Sequence, residues 1–99
     1  MQIADLSMRR LELFQIAAST GSVQTAARES GLSISTVSHH LRKLEEQIGV
    51  SLLDHSRRPM VLTPEGAIFL KHSAGALKLL RKAQAEAAGG SLAGTRQLR

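Results

Sequence analysis

The chain has 99 residues, with 13 Lys+Arg against 8 Asp+Glu and a formal net charge of +5. That length allows one domain, or one small domain plus an extension, and leaves little room for an enzyme cleft beside a regulatory module. The absence of cysteine excludes a disulfide framework, a thiolate metal cluster and a cysteine nucleophile, while the basic balance points toward a polyanion.

Glycines divide the chain into helical segments. Gly21, Gly31 and Gly49 each follow a run with helical spacing, where the residue after the helix must enter the left-handed region. Three helices are predicted, over roughly 7–19, 23–30 and 34–48. The first sets Met8, Leu11, Phe14 and Ala18 on one face and Leu13 and Ile16 on another, so it should be buried between two layers. The second opens at Ser22, a good N-cap, and buries Val23, Ala26 and Ala27. The third opens at Ser33 and runs its apolar stripe through Val37, Leu41, Leu44 and Ile48. Its opposite face carries Ser35, His39, Arg42, Lys43 and Glu46.

Beyond Gly49 the pattern shortens. Val50 to His55 and Met60 to Thr63 are β-favouring runs around Ser56-Arg57-Arg58-Pro59, which predicts a hairpin with a basic tip. Thr63-Pro64-Glu65 then marks a helix start: an N-cap, a proline in the first turn and an acid at the positive end of the dipole. A helix from there to Ala88 would extend ~37 Å. Gly89-Gly90 should end it, leaving 89–99 as a flexible connector.

Two small alanines, a turn glycine and Val37 between Ser22 and Leu41 are what a helix-turn-helix requires, although any helical hairpin in a small bundle has the same spacing. The start of the third helix favours the first reading. Ser33, Ile34, Ser35, Thr36, Ser38 and His39 are mostly small and polar, suited to a major groove about 12 Å wide. A merely solvated face is more often rich in Glu and Lys. Arg42 and Lys43 follow where phosphates would lie, and Ser22 stands at the entry to the second helix. Arg57 and Arg58 at the hairpin tip would reach backbone or minor groove, as basic wing residues do.

The long helix carries Phe69, Leu70, Leu77 and Leu80 as an approximate seam. A thin core containing only two aromatics cannot bury it alone, so packing between two copies is expected; the alternative is that the helix caps the first helix within the chain. His39, His40, His55 and His72 show no metal-ligand spacing, and adjacent His39 and His40 project about 100° apart. No nucleophile–base pairing or phosphate-cradling glycine loop is present, so neither a catalytic residue nor a metal or other cofactor is expected. No apolar run approaches the ~20 residues of a membrane span and no leader pattern opens the chain. A soluble cytoplasmic protein without a membrane partner is therefore expected.

Leu11 and Phe14 with Ala17-Ala18 and Gly21-Ser22, then Thr25-Ala26-Ala27, Leu32-Ser33, Thr36-Val37-Ser38, Leu44-Glu45-Glu46, Ile48-Gly49-Val50, Leu52-Leu53 and Leu62-Thr63-Pro64-Glu65-Gly66 occur in this order. Together they resemble the N-terminal DNA-binding region of LysR-type transcriptional regulators, from about Leu6 to the end of the long helix. The resemblance implies a mainly α fold: a winged helix-turn-helix of three helices and a two-stranded β-hairpin wing, followed by a long linker helix. The implied layout is a DNA-binding domain over 6–63, with the helix-turn-helix at 23–42 and the wing at 50–63. A dimerising linker would follow over 64–88, and 89–99 would connect to an effector-binding domain that this chain lacks.

Function is then expected to be sequence-specific binding of a two-fold-symmetric operator on double-stranded DNA. The chain would act as a homodimer, tetrameric in the full-length protein, with a small-molecule effector acting only through the C-terminal domain. A helical interaction module that never meets DNA, or a winged-helix repressor domain of another family, are the alternatives. The sequence departs from the family pattern at Ile34, where glutamine is frequent, and at His39 and His55, where arginine is frequent. The docking mode carries over by resemblance; a base-by-base readout does not.

Overall fold

A computed structural model describes residues 5–89. Four helices and one short hairpin follow in the order α1 (Met8–Thr20), α2 (Val23–Ser30), α3 (Ile34–Ile48), β1 (Leu53–Asp54), β2 (Val61–Leu62) and α4 (Pro64–Ala87). Each helix begins where the sequence supplies a cap. Ser7, Ser22, Ser33 and Thr63 have extended backbones, and their side-chain oxygens accept from the amide three residues on. The first helix thus starts one residue later than expected, because Ser7 caps it rather than joining it.

The core lies where α1, α2 and α3 meet. Leu11, Leu13, Phe14 and Ala17 of α1 are buried with Ala26 and Ala27 of α2 and with Val37, Leu41 and Leu44 of α3. The two alanines let α1 and α3 approach α2 closely, and Gly31 turns the chain between α2 and α3. Met8 stays largely exposed, so the α1 face expected to include it is shorter than its periodicity implied.

The hairpin is a root rather than a sheet. The expected runs of strand reduce to one antiparallel pairing, Leu53 opposite Leu62 and Asp54 opposite Val61. Leu52, Leu53 and Met60 are buried beneath it, extending the core toward the wing. Two contacts fix this root. The Met60 amide donates to the Gly21 carbonyl at 3.0 Å, and the Thr63 amide donates to the Leu52 carbonyl at 3.0 Å. Gly66 in the first turn of α4 is equally constrained, since a Cβ there would overlap the Leu52 carbonyl.

α4 turns back across α1. Phe69 meets Phe14 with ring centroids 5.7 Å apart and planes tilted by 56°, a favourable edge-to-face geometry. Leu77 is 2% exposed. From Lys78 to Ala88 every residue is exposed. Of the connector expected over 89–99, residues 90–99 lie outside the described residues.

Candidate nucleic-acid interface

The N-terminus of α3 is a hydroxyl cluster. Ser33 Oγ accepts the Thr36 amide at 3.1 Å, donates to Thr36 Oγ1 at 2.8 Å and lies 3.2 Å from Ser35 Oγ. Behind it the side chains fall into two rows at helical spacing, Ile34–Ser38–Arg42 and Ser35–His39–Lys43. Ile34 is 48% exposed although apolar. His39 and Arg42 are also exposed, and Lys43 Nζ reaches Glu46 Oε1 at 3.4 Å in a solvated pair. This surface offers hydroxyls, an imidazole and an apolar side chain, with cations at its far end.

The first row opens into a cleft of about 470 Å³ shared with the start of α2 and with the wing; Ser22, Gln24, Ile34, Ser38, Arg42 and Arg58 line it, together with His55. Ser22 caps α2 by accepting the Thr25 amide at 3.0 Å, so its position is set by the helix it starts. Gln24, which the pattern of the sequence did not single out, stands exposed on the first turn of α2 beside that cap. The two wing arginines part company. Arg58 lines the cleft and its Nη1 donates to the carbonyls of His55 at 2.8 Å and Arg57 at 2.9 Å. Arg57 lines a separate depression with Asp54, Val61 and Pro64, its Nε 3.4 Å from Asp54 Oδ2. Ser56 donates to Asp54 through its hydroxyl and its amide; these bonds, with Arg57 beside it, hold the Asp54 carboxyl below its ordinary range.

Glu45 has a place that the charge spacing along α3 does not reveal. It pairs with neither Arg42 nor Lys43 on its own helix. Its Oε2 accepts the amides of Leu52 at 2.8 Å and Leu53 at 3.0 Å, and its Oε1 lies 3.0 Å from His55 Nε2. Burial opposes the charge, but the two amides and the imidazole outweigh it and keep the carboxyl below its ordinary value. The signal was positional: Glu45 flanks the stripe of Leu41, Leu44 and Ile48, where a solvated acid would be misplaced. His40 is likewise engaged, its Nδ1 accepting from Arg10 Nε at 3.1 Å on the side of α3 that faces α1.

The seam expected of Phe69, Leu70, Leu77 and Leu80 is not one surface. Leu77 belongs to the chain's own core, Phe69 rests on Phe14, and Leu70 is half-buried against the same core. The reason is that α4 packs along α1, which takes one side of its apolar stripe. Left outward are Ile68 at 64%, Leu79 at 67% and Leu80 at 52% exposure. Among the described residues no group of three or more His, Asp or Glu could hold a metal ion, and no helix is long and apolar enough to cross a membrane.

Three helices around a tight turn, a short hairpin at their flank and an exposed polar start to the third helix define the winged helix-turn-helix class. The model of the lysR family of bacterial regulatory helix-turn-helix proteins matches residues 8–67, and the chain belongs to that family. It is 38% identical over 76 residues to an uncharacterized HTH-type transcriptional regulator of Sinorhizobium fredii, y4mQ, covering 77% of this chain and 26% of that protein. It is 41% identical over 70 residues to the HTH-type transcriptional regulator PerR of Escherichia coli, covering 71% of this chain and 24% of that protein. The chain therefore spans about a quarter of the length of these relatives. The BenM DNA-binding domain, solved with benA site 1 DNA, superposes with a TM-score of 0.79 at 26% identity, covering 82% of this chain and 91% of that one.

Proposed function

We propose that the chain binds double-stranded DNA sequence-specifically, as a dimer on a two-fold-symmetric operator. α3 enters the major groove with Ile34, Ser35, Ser38 and His39 toward base edges. Ser22, Ser33, Thr36, Arg42 and Lys43 serve phosphates or the α3 start, and Arg58 reaches the minor groove or its backbone. Arg57 adds a backbone contact from the outer side of the wing.

One observation carries this reading: Ser22, the exposed row of α3 and Arg58 line a single cleft, although they come from three separate elements. Its support from comparison is the likeness to BenM, whose DNA-binding domain was solved on DNA. A two-fold dimer would use the exposed aliphatic side chains of α4, Ile68 and Leu79 on one side and Leu80 about 100° round the helix from Leu79. Half-sites then lie one helical turn or a multiple apart, ~34–36 Å per turn. By the family resemblance, effector response and assembly into a tetramer belong to a C-terminal domain, and the setting is the cytoplasm.

Selection from randomised duplexes tests the reading. It should enrich a two-fold-symmetric sequence bound at least about 10³-fold more tightly than random duplex at matched salt. Equal affinity for all duplexes would remove specificity. No salt-sensitive binding to any duplex would make the chain a helical interaction module instead.

A further inference from the structure

We propose that Glu45 and His55 are positioning residues that aim the wing arginine Arg58 from the recognition helix. The inference rests on the DNA-binding reading above and adds to it the device that couples its two contacting elements.

The chain of contacts is continuous. Glu45 Oε2 holds the Leu52 and Leu53 amides at 2.8 and 3.0 Å, which pins the entry of the wing to the last turn of α3. Glu45 Oε1 holds His55 Nε2 at 3.0 Å, and the His55 carbonyl in turn accepts from Arg58 Nη1 at 2.8 Å. A carboxylate accepting two amides and an imidazole is fixed in both direction and depth, and the Glu45 side chain is only 14% exposed. The entry of the wing is also tied to the start of α4, where the Thr63 amide and hydroxyl donate to the Leu52 and Ser51 carbonyls at 3.0 and 2.7 Å. Of these ties, only the Glu45 contacts reach on toward the tip of the wing. Its strand pairing consists of Leu53 with Leu62 and Asp54 with Val61, too short to hold a tip in register by itself. On the opposite side the Met60 amide is tied to the Gly21 carbonyl at 3.0 Å. The wing is thus anchored at its return by α1's end and at its entry by Thr63 and Glu45. The Glu45 anchor leads to Arg58, whose Nη1 also donates to the Arg57 carbonyl at 2.9 Å, whereas the Arg57 side chain is held by Asp54.

The alternative is that Glu45 only stabilises the fold. The two roles separate in a double-mutant cycle. Arg58→Ala alone should weaken operator binding and lower the salt slope by about one unit. Glu45→Gln should reproduce that loss of slope, and the double variant should bind no more than about twofold more weakly than Arg58→Ala. Fully additive losses would overturn the proposal, since Glu45 would then act independently of the wing arginine.

A measurement without DNA keeps the test intact if Glu45→Gln folds poorly. In the chain alone, His55→Ala should shift the Arg58 guanidinium resonances while leaving the amides from Ser35 to His39 in place. Unchanged Arg58 resonances would overturn the relay even if DNA binding holds. Conversely, shifted resonances in a chain that binds no duplex would leave the relay standing and remove the function it was meant to serve.

Discussion

α3 and α4 are both amphipathic, but the fold uses them oppositely. α3 buries the centre of its stripe, with Val37, Leu41 and Leu44 at 0%, 1% and 0% exposure and Ile48 partly buried beside them. Its flanks are engaged as well, by Glu45 toward the wing and by His40 toward α1. Its outward face is therefore presented at a fixed angle, and what it presents is polar. α4 buries only Gly66, Ser73 and Leu77, and leaves Ile68, Leu79 and Leu80 exposed among charged side chains such as Lys71, Lys78 and Lys82. A helix with a full inner face and a polar outer face is a presented reading head. One with a half-filled inner face and exposed large aliphatics is where the proposed second copy would pack.

The largest expected effect breaks this contrast at the core. Leu41→Ala removes a fully buried side chain and should cost about 2–5 kcal/mol in denaturant unfolding. Leu77→Ala, at the most deeply buried large side chain of α4, should fall in the same range. Leu80→Ala should stay within about 0.5 kcal/mol when measured at concentrations that keep the chain monomeric. A Leu80 cost equal to that of Leu77 would show that the end of α4 is held by its own chain after all.

Next comes the outward face of α4. Replacing Leu79 and Leu80 by Glu would place carboxylates in an apolar interface, at a cost of roughly 3 kcal/mol or more, so the dimer should dissociate at least about 100-fold more readily. Sedimentation across a concentration series reads this directly. A wild-type chain that stays monomeric at high micromolar concentration would remove the dimer, and with it the proposed use of Ile68, Leu79 and Leu80. On α3 the matching test is His39→Ala, which should alter base preference at one or two operator positions by ~1–3 kcal/mol each. Uniform loss over all sequences would instead make His39 a phosphate contact.

The same contrast explains what could be read from the sequence. Caps and turns are local, so Ser22, Ser33, Gly31 and Thr63-Pro64 located three helix starts and the tight turn without tertiary knowledge. The exposed row of α3 was visible for the same reason: periodicity tells which side chains share a face. It does not tell what covers that face. Phe69 and Leu77 could have served a partner as well as α1, and only the packing of α4 along α1 separates them from Leu80. Glu45 escaped notice because its partners lie in Leu52, Leu53 and His55, beyond the helix and across the Gly49 turn. The strands were overestimated because Val50 stays exposed and unpaired, while Met60 is buried in the core and its amide ties the wing to Gly21 instead of pairing across the hairpin.

The smallest effect concerns the inner flank of α3. His40 has its pKa lowered, first by burial and then by the nearby Arg10, with His39 and Arg9 contributing the same sign. The geometry agrees, because Nδ1 accepts from Arg10 Nε and must keep its lone pair. The folded chain therefore resists protonation more than the unfolded chain does. As pH falls through the ordinary imidazole value of ~6.5, the unfolded state takes up its proton first, so stability present above that pH is progressively lost toward the folded-state value. The effect should be modest, since the ring is only partly buried. A His40→Gln variant should lose this part of the pH dependence while keeping its loss of stability at lower pH, where Glu45 begins to protonate. Titration of the His40 ring protons by NMR is the direct check, and a midpoint at or above 6.5 would mean that α1 does not engage this flank of the recognition helix as the Arg10 contact requires.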